Sequence, residues 1–395
     1  MHIHWIANFI VPPPITLSGG DRIMVECIRR WVKNHKVTLH GCEEAKQLGD
    51  YMGLEGVHYD IWPSSKYQKF GRLGQWTAQT MIGSRRAAEM TFSPDEQHLI
   101  SSASEFLPHG IPALKLKERF PKIPLVVGFH LFAPKWFSGG PGPGLMFTAY
   151  RPFQQYMLKR FLKSADMILT TAEEDRDVFA SLGRSKEDVL AVLGGVDLSI
   201  PRSVPEPPEK KYDAVFIGRL HPQKGPMELL DIWKLLLAKK PDARVAIIGS
   251  GPLESRLKEK RERLGLVKNV EFFGFRDGVE KYQIVKASRI VVHPAVYDVG
   301  GMAAAEALAC GLPGVSFDLP ALRAYYPKGF LKSQPGDFEG FAEALFKLLS
   351  DPKLYAEKSA EAFTAGQEWD WDARAQRILD FLIRGVEKLK AQGKA

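Results

Sequence analysis

Residues 293–314 read HPAVYDVGGMAAAEALACGLPG; the apolar run RIVVHPA leads into them and GVSFD leads out. Strand, glycine turn, short helix, strand is the repeating unit of a parallel sheet, because two parallel strands need a crossover between them. Inside the stretch, Asp298 and Glu306 place two carboxylates eight positions apart, with Gly300 and Gly301 able to open a helix between them. The N–H groups and dipole at such a helix start attract phosphates, and carboxylates accept hydrogen bonds from hydroxyls. A sugar joined to a diphosphate suits that combination.

The same alternation runs along the chain. HIHWIANFI, KVTLHG, HLISSAS, PLVVGFH and ADMILTT read as strands in the first half; YDAVFIGRL, ARVAIIGSG, VEFFGF, RIVVHPA and GVSFD do so in the second. Amphipathic helical runs fill the gaps, so two α/β domains with parallel sheets are expected. PRSVPEPP, residues 201–208, breaks the pattern and reads as a linker. The expected boundaries are 1–200 for an N-terminal acceptor-binding domain, 201–210 for the linker and 211–369 for a C-terminal donor-binding domain. A final helix, 370–395, is expected to cross back onto the first domain. Open parallel sheets bind ligands at the carboxyl ends of their strands, so two such domains face each other across a cleft.

A chain of 395 residues, 45% apolar, can fill two full-sized cores. No apolar run is long enough to span a bilayer. The opening MHIHWIANFIVPPP has neither a basic n-region nor a small-residue cleavage site and reads as a buried first strand. Cys27, Cys42 and Cys310 are too scattered for a metal cluster or a disulfide framework, which fits a reducing cytoplasm. The net charge is +8, and residues 115–163 alone hold nine basic residues against one acid. A second stretch, 66–86, has five basic residues and no acid. Such patches attract a polyanion or an anionic membrane surface. No nucleic-acid recognition fold accompanies them, so nucleic acid is not an expected partner.

Several residues have the placement that chemistry needs. In FIGRLHPQKG, Arg219 and Lys224 follow a buried strand and are spaced to neutralise a diphosphate; two ordinary loop cations would look the same. In SGGDR, Gly19 and Gly20 allow close backbone approach to a ligand and Asp21 is placed to cap the next helix, as in any strand-to-helix turn. His130 ends PLVVGFH at a carboxyl edge, but a satisfied structural histidine fits too, and His109 and His293 sit comparably. GGVDL, 194–198, closes the last strand of the first half or makes a simple turn. Glu306 lies among Ala303, Ala304, Ala305 and Ala307, where a buried carboxylate needs a partner. A ribose diol supplies one; pairing with a neighbouring Lys or Arg is the alternative, less favoured in apolar surroundings. Asp298 is placed to accept from a sugar hydroxyl, or to cap a turn.

Taken together these segments resemble the retaining GT-B glycosyltransferases of the family 4 type, over nearly the whole chain and most strongly from Ala214 to Asp318. FIGRLHPQKG resembles that family's G-R-L-x-x-x-K-G segment. AIIGSGPLESRLKEK resembles its strand–G-x-G-P–helix segment, VEFFGF its V-x-F-x-G strand, and DVGGMAAAEALACGLP its E-x7-E segment. SGGDR is similar to its Gly-Gly loop and GGVDL to its N-G-V-D turn. The resemblance implies a GT-B fold, two Rossmann-like domains facing across a cleft. It implies Arg219 and Lys224 on the donor diphosphate, with Gly300, Gly301 and Met302 beside diphosphate and sugar. It further implies Glu306 on the ribose, Asp298 on donor-sugar hydroxyls, and His130 near the donor's C6 side. Gly19 and Gly20 would approach the phosphates from the opposite domain, and the main chain of Phe273, Gly274 and Phe275 would lie near the base. No metal and no cofactor is implied beyond the nucleotide-sugar donor. Asp298 stands where the family has Glu, so its side chain is one methylene shorter.

The expected activity is therefore transfer of a sugar from a UDP- or GDP-sugar to an acceptor, with retention. A nucleotide-sugar-binding protein without catalysis, or a sugar-nucleotide epimerase on the same fold, is the competing expectation. Aromatic residues between Lys135 and Lys163 are interleaved with Lys and Arg, which suits either an anionic bilayer surface or a core helix with a solvated cationic face. The first suggests a lipid-linked or glycan acceptor met by a cytoplasmic enzyme at the inner membrane face.

Overall fold

The computed structural model describes residues 1–10, 19–130, 132, 145–297 and 301–394. These form two compact units: residues 1–194 with 372–394, and residues 195–371.

The first unit holds a seven-stranded parallel sheet. Its strands are β1 (His2–Ala7), β2 (Lys36–Gly41), β3 (His58–Ile61), β4 (His98–Ser102), β5 (Leu125–Phe129), β6 (Met167–Thr170) and β7 (Val189–Ala191). Their order is β3-β2-β1-β4-β5-β6-β7. The second unit holds β8 (Tyr212–Ile217), β9 (Val245–Ile248), β10 (Val270–Gly274), β11 (Ser288–His293), β12 (Gly314–Phe317) and β13 (Phe330–Ser333). They are ordered β10-β9-β8-β11-β12-β13 and pair in parallel throughout. Both orders reverse direction after the first strand, between β1 and β4 and between β8 and β11. Outside the carboxyl ends at that reversal lies the crevice where open α/β sheets take ligands.

The central strands form because helices cover both faces, so nearly every position is apolar. β5 (LVVGF) and β9 (VAII) are buried along their whole length. Phe216, Leu229, Trp233 and Phe341 pack in the second core; Ile6, Trp62, Val127 and Phe161 pack in the first. β3 and β13 escape the sequence reading. Both are four-residue edge strands with half-exposed positions, which leave no continuous apolar run.

The Pro-rich stretch 201–208 lies within the second unit, and its first residues complete a short helix, Ser199–Ser203. Lys286 Nζ donates to the Val204 carbonyl at 2.7 Å and pairs with Glu206 at 3.1 Å, tying the stretch to the body of that unit. In GGVDL, Val196 bridges Asp370, and Trp371 N donates to the Val196 carbonyl at 3.0 Å. From Asp372 onward the helix Trp371–Ala391 belongs to the first unit. There Arg30 Nε bonds Asp372 Oδ1 at 2.6 Å and Trp31 Nε1 donates to the Ala375 carbonyl at 3.1 Å. Among the described residues no helix is long and apolar enough to cross a membrane.

Candidate functional site

In the second unit, the loop after β8 is built around two clamps. Leu220 N donates to the Ser250 carbonyl at 2.9 Å and Leu253 N to the Leu220 carbonyl at 3.0 Å, fixing the loop to the turn after β9. A 3-10 turn, Pro222–Lys224, follows, capped by the His221 ring, which accepts from Gln223 N at 3.3 Å. Gly225 then adopts φ +68°, with its Cα so near the Pro294 carbonyl that a Cβ would stand 1.8 Å from that oxygen. Only glycine meets both conditions. Val296 N and Tyr297 N donate to the Gln223 carbonyl at 3.2 and 3.4 Å. Thus the loop carrying Arg219 and Lys224 and the loop leaving β11 are joined backbone to backbone at the sheet's reversal point. The positive character of this loop is visible at His221, whose pKa is lowered by burial and then by Arg219 and Lys224.

The segment leaving β11 reaches Asp298 and Gly300, which with Val299 lie outside the described residues. Gly301 follows at φ +49°, against Tyr326, whose hydroxyl donates to the Gly301 carbonyl. The helix it opens, Met302–Leu308, has only seven residues, so its dipole is a minor attraction for an anion compared with Arg219 and Lys224. Met302 is partly buried. The alanines of this helix have a packing reason: the helix Pro352–Gln367 crosses so closely that a Cβ on Gly366 would lie 2.4 Å from the Leu308 backbone.

Glu306 departs from the sequence expectation. The cationic partner disfavoured by its apolar surroundings is present, and it comes from another helix. Lys281, on Gly278–Lys286, places Nζ 2.9 Å from Glu306 Oε1 and 2.6 Å from Asp277 Oδ1. The lysine side chain is only 7% exposed. Burial pushes its pKa down, but Glu306 and Asp277 outweigh that and hold it above the ordinary lysine value. Sequence reasoning missed Lys281 because it stands 25 residues from its partner in an unremarkable amphipathic helix.

The main chain at Phe273–Phe275 is partly committed elsewhere, since the Gly274 carbonyl accepts from Gly249 N at 2.8 Å. Phe273 packs on Tyr212, with ring centroids 5.9 Å apart, while Phe275 is half exposed.

In the first unit, Gly19 and Gly20 are the opening turn of the helix Gly19–Trp31, and Asp21 lies in that turn. Gly20 abuts His130: a Cβ there would lie 3.2 Å from His130 Nε2. His130 Nε2 donates to the Ala103 carbonyl at 2.7 Å, and Nδ1 is buried with no partner among the described residues. His130 N donates to Glu105 Oε2 at 3.2 Å, and Gln154 Nε2 donates to Glu105 Oε1 at 3.0 Å. Burial raises the pKa of Glu105 against the pull of His130. Glu105 went unnoticed in the sequence because a lone acid in ASEFLPH carries no spacing signal. His109 is structural, with its ring nitrogens against the Ile6 and Phe9 carbonyls at 3.2 and 3.1 Å.

Comparison with known proteins sharpens the picture. Residues 200–365 match the family model described as glycosyl transferases group 1. The D-inositol 3-phosphate glycosyltransferase 2 of Catenulispora acidiphila is 30% identical over 57% of this chain and 57% of its own length. The chain thus spans little more than half of that curated relative. The Arabidopsis thaliana sulfoquinovosyl transferase is 25% identical over 94% of this chain and 72% of its own. Among solved structures, the Anabaena protein HepE in complex with UDP-glucose superposes with a TM-score of 0.73 at 18% identity, covering 97% of this chain and 100% of HepE. The fold is GT-B, with two Rossmann-like parallel-sheet units.

Proposed function

We propose that this chain is a glycosyltransferase that moves a sugar from a UDP- or GDP-sugar to an acceptor, with retention of anomeric configuration. The observation that carries this reading is the clamp between the loops after β8 and β11, which lies inside the matched segment and holds Arg219 and Lys224 at the reversal point of the sheet. In this reading both cations neutralise the donor diphosphate as it becomes the leaving group, the role a metal plays in other transferases. Charge that develops in the transition state is where fixed cations contribute most. Glu306 accepts from the ribose hydroxyls, oriented by Lys281 through Oε1. Asp298 contacts donor-sugar hydroxyls, with Gly300, Gly301 and Met302 alongside. In the first unit, His130 takes the donor sugar's C6 side and Gly19 and Gly20 the phosphates. The complex of HepE with UDP-glucose supports a nucleotide-sugar donor.

The test is nucleotide release from a panel of UDP-, GDP- and ADP-sugars by wild type, Arg219→Ala and Glu306→Ala. Release from one donor, lowered about 100- to 1,000-fold in Arg219→Ala, is the expected result. Donor binding without release would mark a binding protein, and release of a new sugar nucleotide would mark an epimerase.

For the acceptor, the same reading assigns a lipid-linked or glycan precursor met at an anionic membrane. Phe70, Leu73 and Met81, all within the basic stretch 66–86, are 63%, 73% and 69% exposed at and just before the helix Gly71–Glu89. Trp76 stacks edge-on to Phe153 of the helix Leu145–Ser164, centroids 5.7 Å apart, joining the two aromatic-basic segments into one surface. Flotation with anionic vesicles at low salt checks this, and Leu73→Glu with Met81→Glu is expected to abolish it.

A further inference from the structure

A row of histidines crosses the first sheet, from His2 and His98 at the amino-terminal ends of β1 and β4 to His40 near the carboxyl end of β2. His2 and His4 point to one face of β1, and His98 stands directly opposite His2 on β4. The links run Asp60 Oδ2 to His40 Nδ1 (2.8 Å), His40 Nε2 to His4 Nδ1 (3.0 Å), His4 Nε2 to His98 Nδ1 (3.0 Å) and His98 Nε2 to the Ser93 carbonyl (2.7 Å).

Proton counting exposes a gap. Asp60, held ionised chiefly by its hydrogen bond from His40, accepts only, and so does the Ser93 carbonyl. A neutral His40 carries its proton on Nδ1, toward Asp60, which makes its Nε2 an acceptor and puts the His4 proton on Nδ1. From the other end, His98 must carry its proton on Nε2. Three neutral imidazoles supply three protons for four links, and the shortfall falls between His4 Nε2 and His98 Nδ1. In that neutral row two lone pairs face each other at 3.0 Å, and one added cation relieves them, either a metal ion there or a proton on His40 beside Asp60.

We propose that this gap is a binding site for one divalent metal ion of the zinc class, ligated by His4 Nε2, His98 Nδ1 and a nitrogen of His2. One ligand atom from each of the three histidines lies within 4.8 Å of the others. Two Zn–N bonds of about 2.0–2.1 Å span the 3.0 Å separation with the ion off the line joining the nitrogens. The surroundings match what metal-binding histidines need, since each offers its other nitrogen to an orienting acceptor. His98 has the Ser93 carbonyl, His4 has the His40–Asp60 relay, and His2 Nδ1 has Glu96 Oε2 at 3.1 Å, while His2 Nε2, now 2.8 Å from Thr38 Oγ1, would exchange that hydroxyl for the ion. Phe92 packs edge-on to His4 and tilted against His98, centroids 4.7 and 5.1 Å away, and shields the gap. The site does not depend on the proposed transferase activity.

The experiment uses the full chain, stripped with a chelator, titrated with Zn²⁺ alone by calorimetry and with Co²⁺ by visible absorption. One equivalent of Zn²⁺ binding at micromolar affinity or tighter, with a Co²⁺ ligand-field spectrum, is expected. His98→Asn should abolish both, and Asp60→Asn, which touches no metal, should weaken Zn²⁺ about 10- to 100-fold. Because buried histidine variants can fail to fold, His2→Gln at the rim is measured as well and should weaken binding at least tenfold. The proposal is overturned if wild type binds no stoichiometric Zn²⁺, which leaves a shared proton in the gap. It is equally overturned if folded His98→Asn and His2→Gln bind as wild type does.

Discussion

Replacing Lys281 by Met tests the internal logic of the second unit. Methionine keeps the buried stem but removes the ammonium group that sits 2.9 Å from Glu306 and 2.6 Å from Asp277. Losing one partner of a buried ion pair costs about 3–5 kcal/mol, because the other charge stays uncompensated. Here the Glu306 side chain is 18% exposed and Asp277 37%. Water screens Asp277 and softens the loss at Glu306, which brings the expected cost to about 2–3 kcal/mol. For a unit of this size that lowers the melting temperature by about 4–12 °C. The double variant Lys281→Met/Glu306→Leu removes the stranded charge as well and should melt above the single variant, a non-additivity that a double-mutant cycle reads directly. Scanning calorimetry of the wild type, both single variants and the double variant measures all of this. A Lys281→Met shift below about 1 °C, or strictly additive single effects, would refute the idea that Lys281 anchors Glu306.

Two further outcomes follow from the geometry. Gly225→Ala forces a side chain into a φ of +68° and to within 1.8 Å of the Pro294 carbonyl; a loss of about 2–5 kcal/mol in urea unfolding is expected, and a variant as stable as wild type would contradict the clamp. Asp175, on the helix Glu173–Ser181, has its carboxyl pKa raised from 3.8 to about 7 by burial, then by Glu174 and Glu105. The folded state thus keeps a proton that the unfolded chain has released, so stability falls as pH rises from about 4 to about 7 and is level above. The melting temperature of Asp175→Asn, relative to wild type, should climb across that window; a constant difference would rule out the shift.

The centres of both sheets were legible in the sequence because strands buried on two faces have no freedom to be polar. β5, β8, β9, β11 and β12 all announce themselves as apolar runs. The glycine-and-cation loop at Arg219–Gly225 was legible too, since its function as a turn and its charge both sit within seven consecutive residues. Edge strands β3 and β13 were not, because half-exposed positions tolerate any residue.

What the tertiary structure alone decided is which charged and titratable groups meet. Lys281 reaches Glu306 across 25 residues, and His4 reaches His98 across 94. Glu105 lies under His130 because β4 and β5 are neighbours in the sheet, not because of any spacing between the two residues. By itself the chain determined the apolar periodicity, the glycines and the charges, and through them two parallel-sheet units and a cationic loop. The pairings were decided by strand order and register, set by how the crossover helices pack. A one-residue slip would carry His4 to the opposite face of its sheet.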